Sequence, residues 1–302
     1  MKPIWCIGGA VWDRKLRLLA PAVAGSSNPV RESGNPGGVA RNVAHNLCLL
    51  GLPAALLTAW GDDGAGRQLQ QHCAALGMQL DAVICVAGAA TGSYTAVIGS
   101  DGSLQLGLAQ LDALAQLGPE QLRDSLPVRR QASLQLADLN LRRDSLEAWL
   151  AEPRDGLAVL LGVSEPKMAA LPEDLGRLDL LIANAGEWQA AGGNTELARR
   201  GLRRALVTQG EQGVRCGQWQ DGRWQWQLLK APALQTVVDA TGAGDAFTAG
   251  VLAALALGHV ELGQAAAFGQ RLSHLCLQSL HSVSPDIHPE LLIELENPDA
   301  PR

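Results

Sequence analysis

Six short apolar, β-prone runs recur along the chain, at residues 4–8, 54–59, 133–137, 157–161, 178–182 and 205–208. Most are separated by segments whose apolar residues fall at helical spacing, such as 39–50, 64–76, 144–150 and 195–201. This alternation constrains the fold more than any single motif, because strands separated by helices pair in parallel through crossover connections. Right-handed crossovers then distribute the helices over both faces of the sheet. The expectation is an α/β fold with a mainly parallel sheet. With 302 residues the chain has room for one large domain or two smaller ones, and neither a linker nor an internal repeat divides it.

Two stretches break the alternation. Residues 14–37 are polar and rich in Gly, Pro and Ser, and residues 82–109 hold strand runs interrupted by Gly88, Gly92 and Asp101-Gly102. The Asp-Gly pair between two strand-like runs is a hairpin signal. Together the segments are expected to form a small sheet that projects from the core as a lid, with the long loop 21–37 covering a substrate. A second hairpin is expected near Asp221-Gly222. Trp219, Trp224 and Trp226 beside it alternate as strand residues do, which favours a packed face over a stacking platform.

Composition excludes several classes. The net charge of -6 leaves no broad cationic surface for nucleic acid, and the Arg-Arg pairs at 129–130, 142–143, 199–200 and 203–204 read as solvated helix ends. No apolar run approaches the length of about 20 residues that spans a bilayer, so no membrane association is expected. Met1-Lys2-Pro3 leads straight into the first apolar run, which argues against export and for a cytoplasmic location. The six cysteines include no CxxC pair and read as reduced and mostly buried, and the six histidines have neither HxxxH nor HExxH spacing.

Residues 239–250 read DATGAGDAFTAG. Gly242, Ala243 and Gly244 form a turn nearly free of side chains, and the apolar run 246–257 reads as a buried helix with Asp245 at its first turn. Open N–H groups at a helix N-terminus, with about half a positive charge from the aligned peptide dipoles, suit a phosphate. A carboxylate beside such a site suggests a base for phosphoryl transfer, and the alternative is a glycine turn that only starts a packed helix. A dinucleotide fingerprint fits poorly, because Phe247 stands at its third small position and the loop lies late in the chain. A Walker A loop is excluded, since none of Lys2, Lys15, Lys167 and Lys230 follows a glycine.

A second glycine site, PGGVARNVAHNL at 36–47, sets Gly37 and Gly38 before a helix whose first turns carry Asn42, a side chain with both a donor and an acceptor. Read together, the two glycine sites resemble the ribokinase family of PfkB-type carbohydrate and nucleoside kinases, over nearly the whole chain. The resemblance implies a ribokinase-like three-layer α/β/α core with a β-sheet lid, a single kinase domain over 1–302 with lid segments at approximately 14–37 and 82–109, and ATP-dependent phosphorylation of an alcohol. It implies Asp245 as the base and the N–H groups of Gly242, Ala243 and Gly244 as the anion hole. Asp13, in IGGAVWD, takes the place of the acid that holds sugar hydroxyls, helped by Gly38 and Asn42. NAGE at 184–187 resembles the NxxE element, so Asn184 and Glu187 would organise the phosphates and hydrated Mg2+. VTQGEQGV at 207–214 resembles the nucleotide-contacting turn, with Thr208, Gly210 and Gly213 at matching places. Asp239, Thr241 and Ser284 resemble a monovalent-cation loop, which implies K+.

Within the family, SNPVRESGNPGGVARNVAHNLCLLG at 27–51 is most similar to the pseudouridine kinase branch, as are TGSYTAVIGSDG, ADLNL and VSEPKM further on. That branch phosphorylates the 5′-hydroxyl of a C-linked ribonucleoside. It would place Ser93 and Tyr94 over the ribose, Asp138 and Asn140 at the floor, Lys167 near the nucleotide phosphates and Gln270 near the adenine. The chain departs from the branch at Gln110-Leu111, where an acidic residue followed by methionine is usual. The nearest rival is a family member acting on ribose, fructose or a purine nucleoside. A sugar-sensing homologue without catalysis is disfavoured by the intact Asp245, GAG and NxxE elements. The resemblance implies a small-molecule nucleoside or sugar as partner, and a homodimer through the lid.

Overall fold

Each of the six apolar runs becomes a strand, and each helix-period segment a helix. The computed structural model describes residues 1–234, 236–259 and 261–296. Its strands in chain order are β1 (Ile4–Ile7), β2 (Val11–Leu18), β3 (Val30–Gly37), β4 (Ala54–Leu57), β5 (Ala59–Gly61), β6 (Ile84–Val86) and β7 (Ser93–Ile98). There follow β8 (Leu104–Gln110), β9 (Leu134–Asp138), β10 (Leu157–Leu161), β11 (Leu180–Asn184), β12 (Arg204–Thr208), β13 (Val214–Gln220) and β14 (Arg223–Leu229). The helices are α1 (Val39–Leu49), α2 (Gly64–Ala75), α3 (Pro119–Arg129), α4 (Arg143–Ala151), α5 (Ala185–Ala190), α6 (Gly193–Arg199), α7 (Ala243–Ala256), α8 (Leu262–Leu277) and α9 (Leu291–Glu296).

The main sheet runs β14-β13-β12-β11-β10-β9-β1-β4. Its strands from β12 to β4 are parallel, and β13 and β14 close one edge as an antiparallel hairpin. Successive strand side chains point to opposite faces. Ile4 and Cys6 of β1 therefore enter one core with α1, α7 and α8, while Trp5 and Ile7 enter a second core with α3 and α4. A sheet buried on both faces in this way is the middle of three layers. Asp221 and Gly222 take the left-handed conformations, φ 51° and 73°, that a two-residue hairpin of this twist demands. Trp224 and Trp226 on that hairpin meet the buried Trp188 edge-on, with ring centres 5.4 and 5.3 Å apart, so the alternating tryptophans are a packed face.

The lid is a separate four-stranded sheet of order β3-β2-β7-β8. Three expectations are corrected here. Residues 30–37 are a strand, not part of a loop, paired with β2 from Val30↔Leu18 to Gly37↔Val11. Its glycines and proline hid it from a propensity reading, yet an edge strand tolerates proline because one side of it has no partner to receive an N–H. Residues 84–86 pair with β5 in a two-stranded sheet of their own, so the second lid segment begins only at Ser93. The third correction concerns Arg129, which is no solvated helix end. It is 1 % exposed, paired with Glu152 and bonded to Gln135 Oε1 at 2.9 Å and Leu122 O at 2.7 Å. Among the described residues no helix is long and apolar enough to cross a membrane.

Candidate active site

The parallel strands deliver their carboxyl ends to one edge, where Asp138 lies beside Leu161 and Asn184 beside Thr208. Open parallel sheets bind ligands at that edge. The N-terminus of α7 opens onto it. Gly242 caps the helix at φ 84°, and a Cβ there would collide with the Ser282 carbonyl oxygen. Gly244 is exposed and faces open space. The N–H groups of Gly242 and Gly244 have no acceptor among the described residues, whereas the N–H of Ala243 reaches the Ala240 carbonyl at 3.3 Å. Two of the three N–H groups of this turn are thus open.

Asp245 stands at this turn, and Asn42 Nδ2 donates to its Oδ2 at 2.7 Å. Burial raises the Asp245 carboxyl to about 7, with the nearby charges of Asp138 and Asp13 adding to the rise and Asn42 and Arg41 opposing it. Such a group is neutral in acid and a carboxylate just above neutrality, the range suited to a general base. Asn42 also accepts from the buried Arg41 guanidinium at its Oδ1. Its amide, expected on the ribose, is thus engaged at both ends, with one N–H and one lone pair to spare. Asp13 rides the lid strand β2, not the end of a core strand. Its carboxylate lies against Gly37, where a Cβ would overlap it, and burial raises it to about 6 against the opposing charges of Arg41 and Lys15. Gly38, at φ 96°, allows the chain to pass the Gly9 carbonyl.

Asp138 is fully buried beneath these groups. Its Oδ2 accepts from the N–H of Gly9 at 2.9 Å and of Ala40 at 3.0 Å, and its Oδ1 from the N–H of Asn140 at 2.8 Å. It pins the β1 turn and the start of α1 to the end of β9. Both of its oxygens are given to backbone N–H groups. Lys167 Nζ donates to Asn140 Oδ1, and burial lowers its pKa.

On the other side of the edge, Asn184 and Glu187 form a reciprocal capping box at α5: Asn184 Oδ1 accepts from the Glu187 N–H and Glu187 Oε2 from the Asn184 N–H, both at 2.9 Å. The NxxE spacing thus has a helix-start function of its own. Burial raises the Glu187 carboxyl, with the nearby charge of Glu165 adding to the rise. Two carboxylates whose charges oppose each other make a hard oxygen set that fits a hydrated Mg2+. Thr208 ends β12, and Gly210 and Gly213 turn the chain with φ 57° and 104°. A Cβ at Gly213 would collide with the Leu229 carbonyl, the same oxygen that Gln270 Nε2 reaches at 3.2 Å. Thr208, the two glycines and Gln270 thereby gather at one corner.

Asp239 accepts from the Thr241 N–H at 2.8 Å and from Lys15 Nζ at 3.2 Å. The carbonyls of Thr241 and Ser282 both lie 3.5 Å from Cys276 Sγ, and that of His281 lies 3.9 Å away. Three carbonyl oxygens thus converge on the Cys276 thiol. Ser284 is buried, and its Oγ accepts from the Asp286 N–H at 3.3 Å. In the lid, Tyr94 pairs with Asp13 and shares its face, while Ser93 pairs with Trp12, one residue along and so on the opposite face. Gln110 Nε2 reaches Asp112 Oδ2 at 3.2 Å, so the turn after the lid hairpin carries an acid two residues from its usual place. A cleft of about 360 Å³ lies beside Asp13, lined also by Lys15, Arg41, His45 and His281. The place of Arg41 beside Asn42 went unread in the sequence, because only folding separates a buried, directed guanidinium from a solvated one.

An open helix N-terminus beside a half-buried carboxylate, at the carboxyl edge of a parallel sheet, is an arrangement that suits phosphoryl transfer to an alcohol. The chain belongs to the pfkB family of carbohydrate kinases, whose family model matches residues 1–288. It is 32% identical over 240 residues to the sugar kinase YeiI of Escherichia coli, covering 75% of this chain and 65% of that protein, a little under two thirds of its length. It is 28% identical over 282 residues to the pseudouridine kinase of Escherichia coli, covering 89% of this chain and 88% of the relative. Among solved structures it resembles a carbohydrate kinase from Agrobacterium tumefaciens, with a TM-score of 0.83 and 28% identity, covering 98% of this chain and 97% of the other. It also shares its fold with Arabidopsis thaliana ribokinase complexed with ribose and ATP, with a TM-score of 0.80 and 20% identity, covering 98% and 99% of the two chains.

Proposed function

We propose that this sugar or nucleoside kinase transfers the γ-phosphoryl group of ATP to the 5′-hydroxyl of pseudouridine. The observation that carries the chemistry is Asp245, a desolvated carboxyl near neutrality at the mouth of an open anion hole. Asp245 takes the proton of the substrate hydroxyl as that oxygen bonds to the γ-phosphorus, and the bond to the β,γ-bridging oxygen breaks to leave ADP. The N–H groups of Gly242 and Gly244 receive charge on the phosphoryl oxygens, and Ala243 joins them when its N–H leaves Ala240. Asn184, Glu187 and Glu165 would hold a hydrated Mg2+, which would screen the phosphate charges. Thr208, Gly210, Gly213 and Gln270 form the nucleotide corner, with Lys167 on the side nearer Asn140.

The acceptor reading rests on the Ser27–Gly51 string with its Gly38 turn, on Asp13 and Tyr94 sharing one lid face, and on the pseudouridine kinase relative. Asp112, held by Gln110, supplies the acid that the departure at Gln110-Leu111 had removed. K+ is assigned to the carbonyls of Thr241, His281 and Ser282, with Asp239 and Ser284 flanking them. A second copy of the chain is assigned to the outer lid face, where Leu104, Leu106 and Leu108 are 59, 53 and 52 % exposed. ADP release measured with pseudouridine, uridine, ribose, fructose, adenosine and inosine, with and without potassium, tests the reading. Turnover confined to pseudouridine and raised by potassium is expected. A preference for a hexose overturns the substrate assignment.

A further inference from the structure

Arg41 stands within the second glycine motif with no role read for it, yet it is 2 % exposed and four of its five N–H donors are directed. Nη2 donates to the Pro36 carbonyl and to Asn42 Oδ1, Nε to the Gly37 carbonyl at 3.3 Å, and Nη1 meets His45 Nδ1 at 3.1 Å. Burial, followed by the charges of Arg41 and His72, lowers His45 to about 3. His45 is therefore neutral at any working pH, and its Nδ1 is an acceptor for the guanidinium. No carboxylate pairs directly with Arg41 among the described residues. A buried cation is costly unless its donors are used, and here they are used on three carbonyl-type oxygens and a ring nitrogen.

An Asn amide has two orientations, with opposite hydrogen-bonding sense at each end. The cationic donor at Asn42 Oδ1 selects one of them. The other end, Nδ2, is then obliged to face Asp245 Oδ2, which it meets at 2.7 Å. With Arg41 absent the amide is free to turn its oxygen toward the carboxylate, and Asp245 loses its donor. The groups facing Asp245 come from four elements: Asn42 and Arg41 on α1, Asp138 at the end of β9, Asp13 on β2, and Cys276 on α8. The two aspartates oppose ionisation of Asp245, the Cys276 thiol is pushed up to about 12 and stays neutral, and Arg41 is the cation in the set.

We infer that Arg41 is a positioning residue for the base, which fixes the Asn42 amide so that one oxygen of Asp245 is held and the other is left for the substrate proton, and which ties that arrangement to the seating of lid strand β3. The tie is the pair of carbonyls, Pro36 and Gly37, that end β3 on the guanidinium. A lid strand out of place withdraws those acceptors from a buried cation, and the amide loses its anchor. The inference rests on the reading of Asp245 as base.

The test is a titration of the aspartate carboxyl carbons by NMR in wild type, Arg41→Lys and Arg41→Met, with Asp245 identified by the signal lost in Asp245→Asn, together with kcat for ATP and pseudouridine against pH. In wild type the Asp245 midpoint should lie near 7, raised by burial. Loss of a facing cation in Arg41→Met should raise it by about one unit, with the acid limb of kcat moving alongside. Arg41→Lys keeps the charge and much of the length but is a point donor that cannot serve Pro36 and Asn42, Gly37 and His45 together, as the three guanidinium nitrogens do. It should lower kcat about tenfold while the KM for ATP stays within about twofold, a loss confined to the transition state. In an Asn42→Ala background the lysine substitution should add nothing, because the two residues act through one contact. A midpoint and limb unmoved in both Arg41 variants, or full additivity with Asn42→Ala, overturns the inference, and Arg41→Lys alone decides if the methionine variant does not fold. Turnover retained by Asp245→Asn overturns the base reading and the inference with it. A silent Asp245→Asn with unmoved Arg41 variants overturns the inference alone.

Discussion

Replacing Asp245 by Asn should inactivate the protein and stabilise it at once. The Asp245 carboxyl is raised from 3.8 to about 7, chiefly by burial. The folded state therefore binds this proton more tightly than the unfolded chain does. The stability it lends is fully present below about pH 4 and is lost as the pH rises through 7. Over a window of roughly three units, at 1.36 kcal/mol each, the cost of holding the ionised group at pH 8 is about 4 kcal/mol. Asn is neutral, nearly isosteric and still offers an oxygen to Asn42 Nδ2. Denaturant unfolding should find Asp245→Asn more stable than wild type at pH 8, by up to about 4 kcal/mol, with the difference vanishing by pH 4. Turnover should fall by about 10^2 to 10^4, the usual contribution of a positioned base. Wild-type kcat should also drop about tenfold per pH unit below 7, and the residual rate of the variant should not. A variant less stable than wild type at pH 8, or a wild-type acid limb near pH 4, refutes the reasoning.

Three further outcomes follow from particular contacts. Gly242→Ala places a Cβ on the Ser282 carbonyl at a left-handed φ, so the anion hole must shift and kcat should fall by about 10^2 to 10^3, read by steady-state kinetics. Asp138→Asn replaces an acceptor for three N–H groups with one that has a single oxygen, and should cost about 1–3 kcal/mol in denaturant unfolding. Glu152→Ala strands the buried Arg129 charge far from the site, and should cost about 3–5 kcal/mol while kcat and KM of the folded enzyme stay at wild type.

The core of the fold was legible because its signal is redundant. Strands such as Leu157–Leu161 are apolar throughout and lie between helix-period segments, so burial on two faces and parallel pairing follow from one pattern. The lid was legible only where a turn announced it, at Asp101-Gly102, and strand β3 was missed because its stability comes from pairing with β2, not from its own residues. At the site, backbone-driven features were readable: Gly242 and Gly213 stand where a Cβ meets a carbonyl, and glycine is what such places require. Side-chain direction was not. The sequence did not show that Asn42 bridges Arg41 and Asp245, nor that Asp138 holds three backbone N–H groups. Asn184-Glu187 carries two signals in one string, a helix cap and a phosphate-end carboxylate, and the sequence alone does not separate them.

Phosphorylation of a nucleoside hydroxyl at this site leaves a direct trace. Its most direct test is the product: the protein is incubated with ATP, Mg2+ and pseudouridine, and the phosphorus resonance of the new monoester is correlated with its neighbouring protons. One product is expected, whose phosphorus couples to the two C5′ protons and which is absent with Asp245→Asn. A phosphate on another hydroxyl, or no product from pseudouridine while ribose or a hexose is phosphorylated, contradicts it.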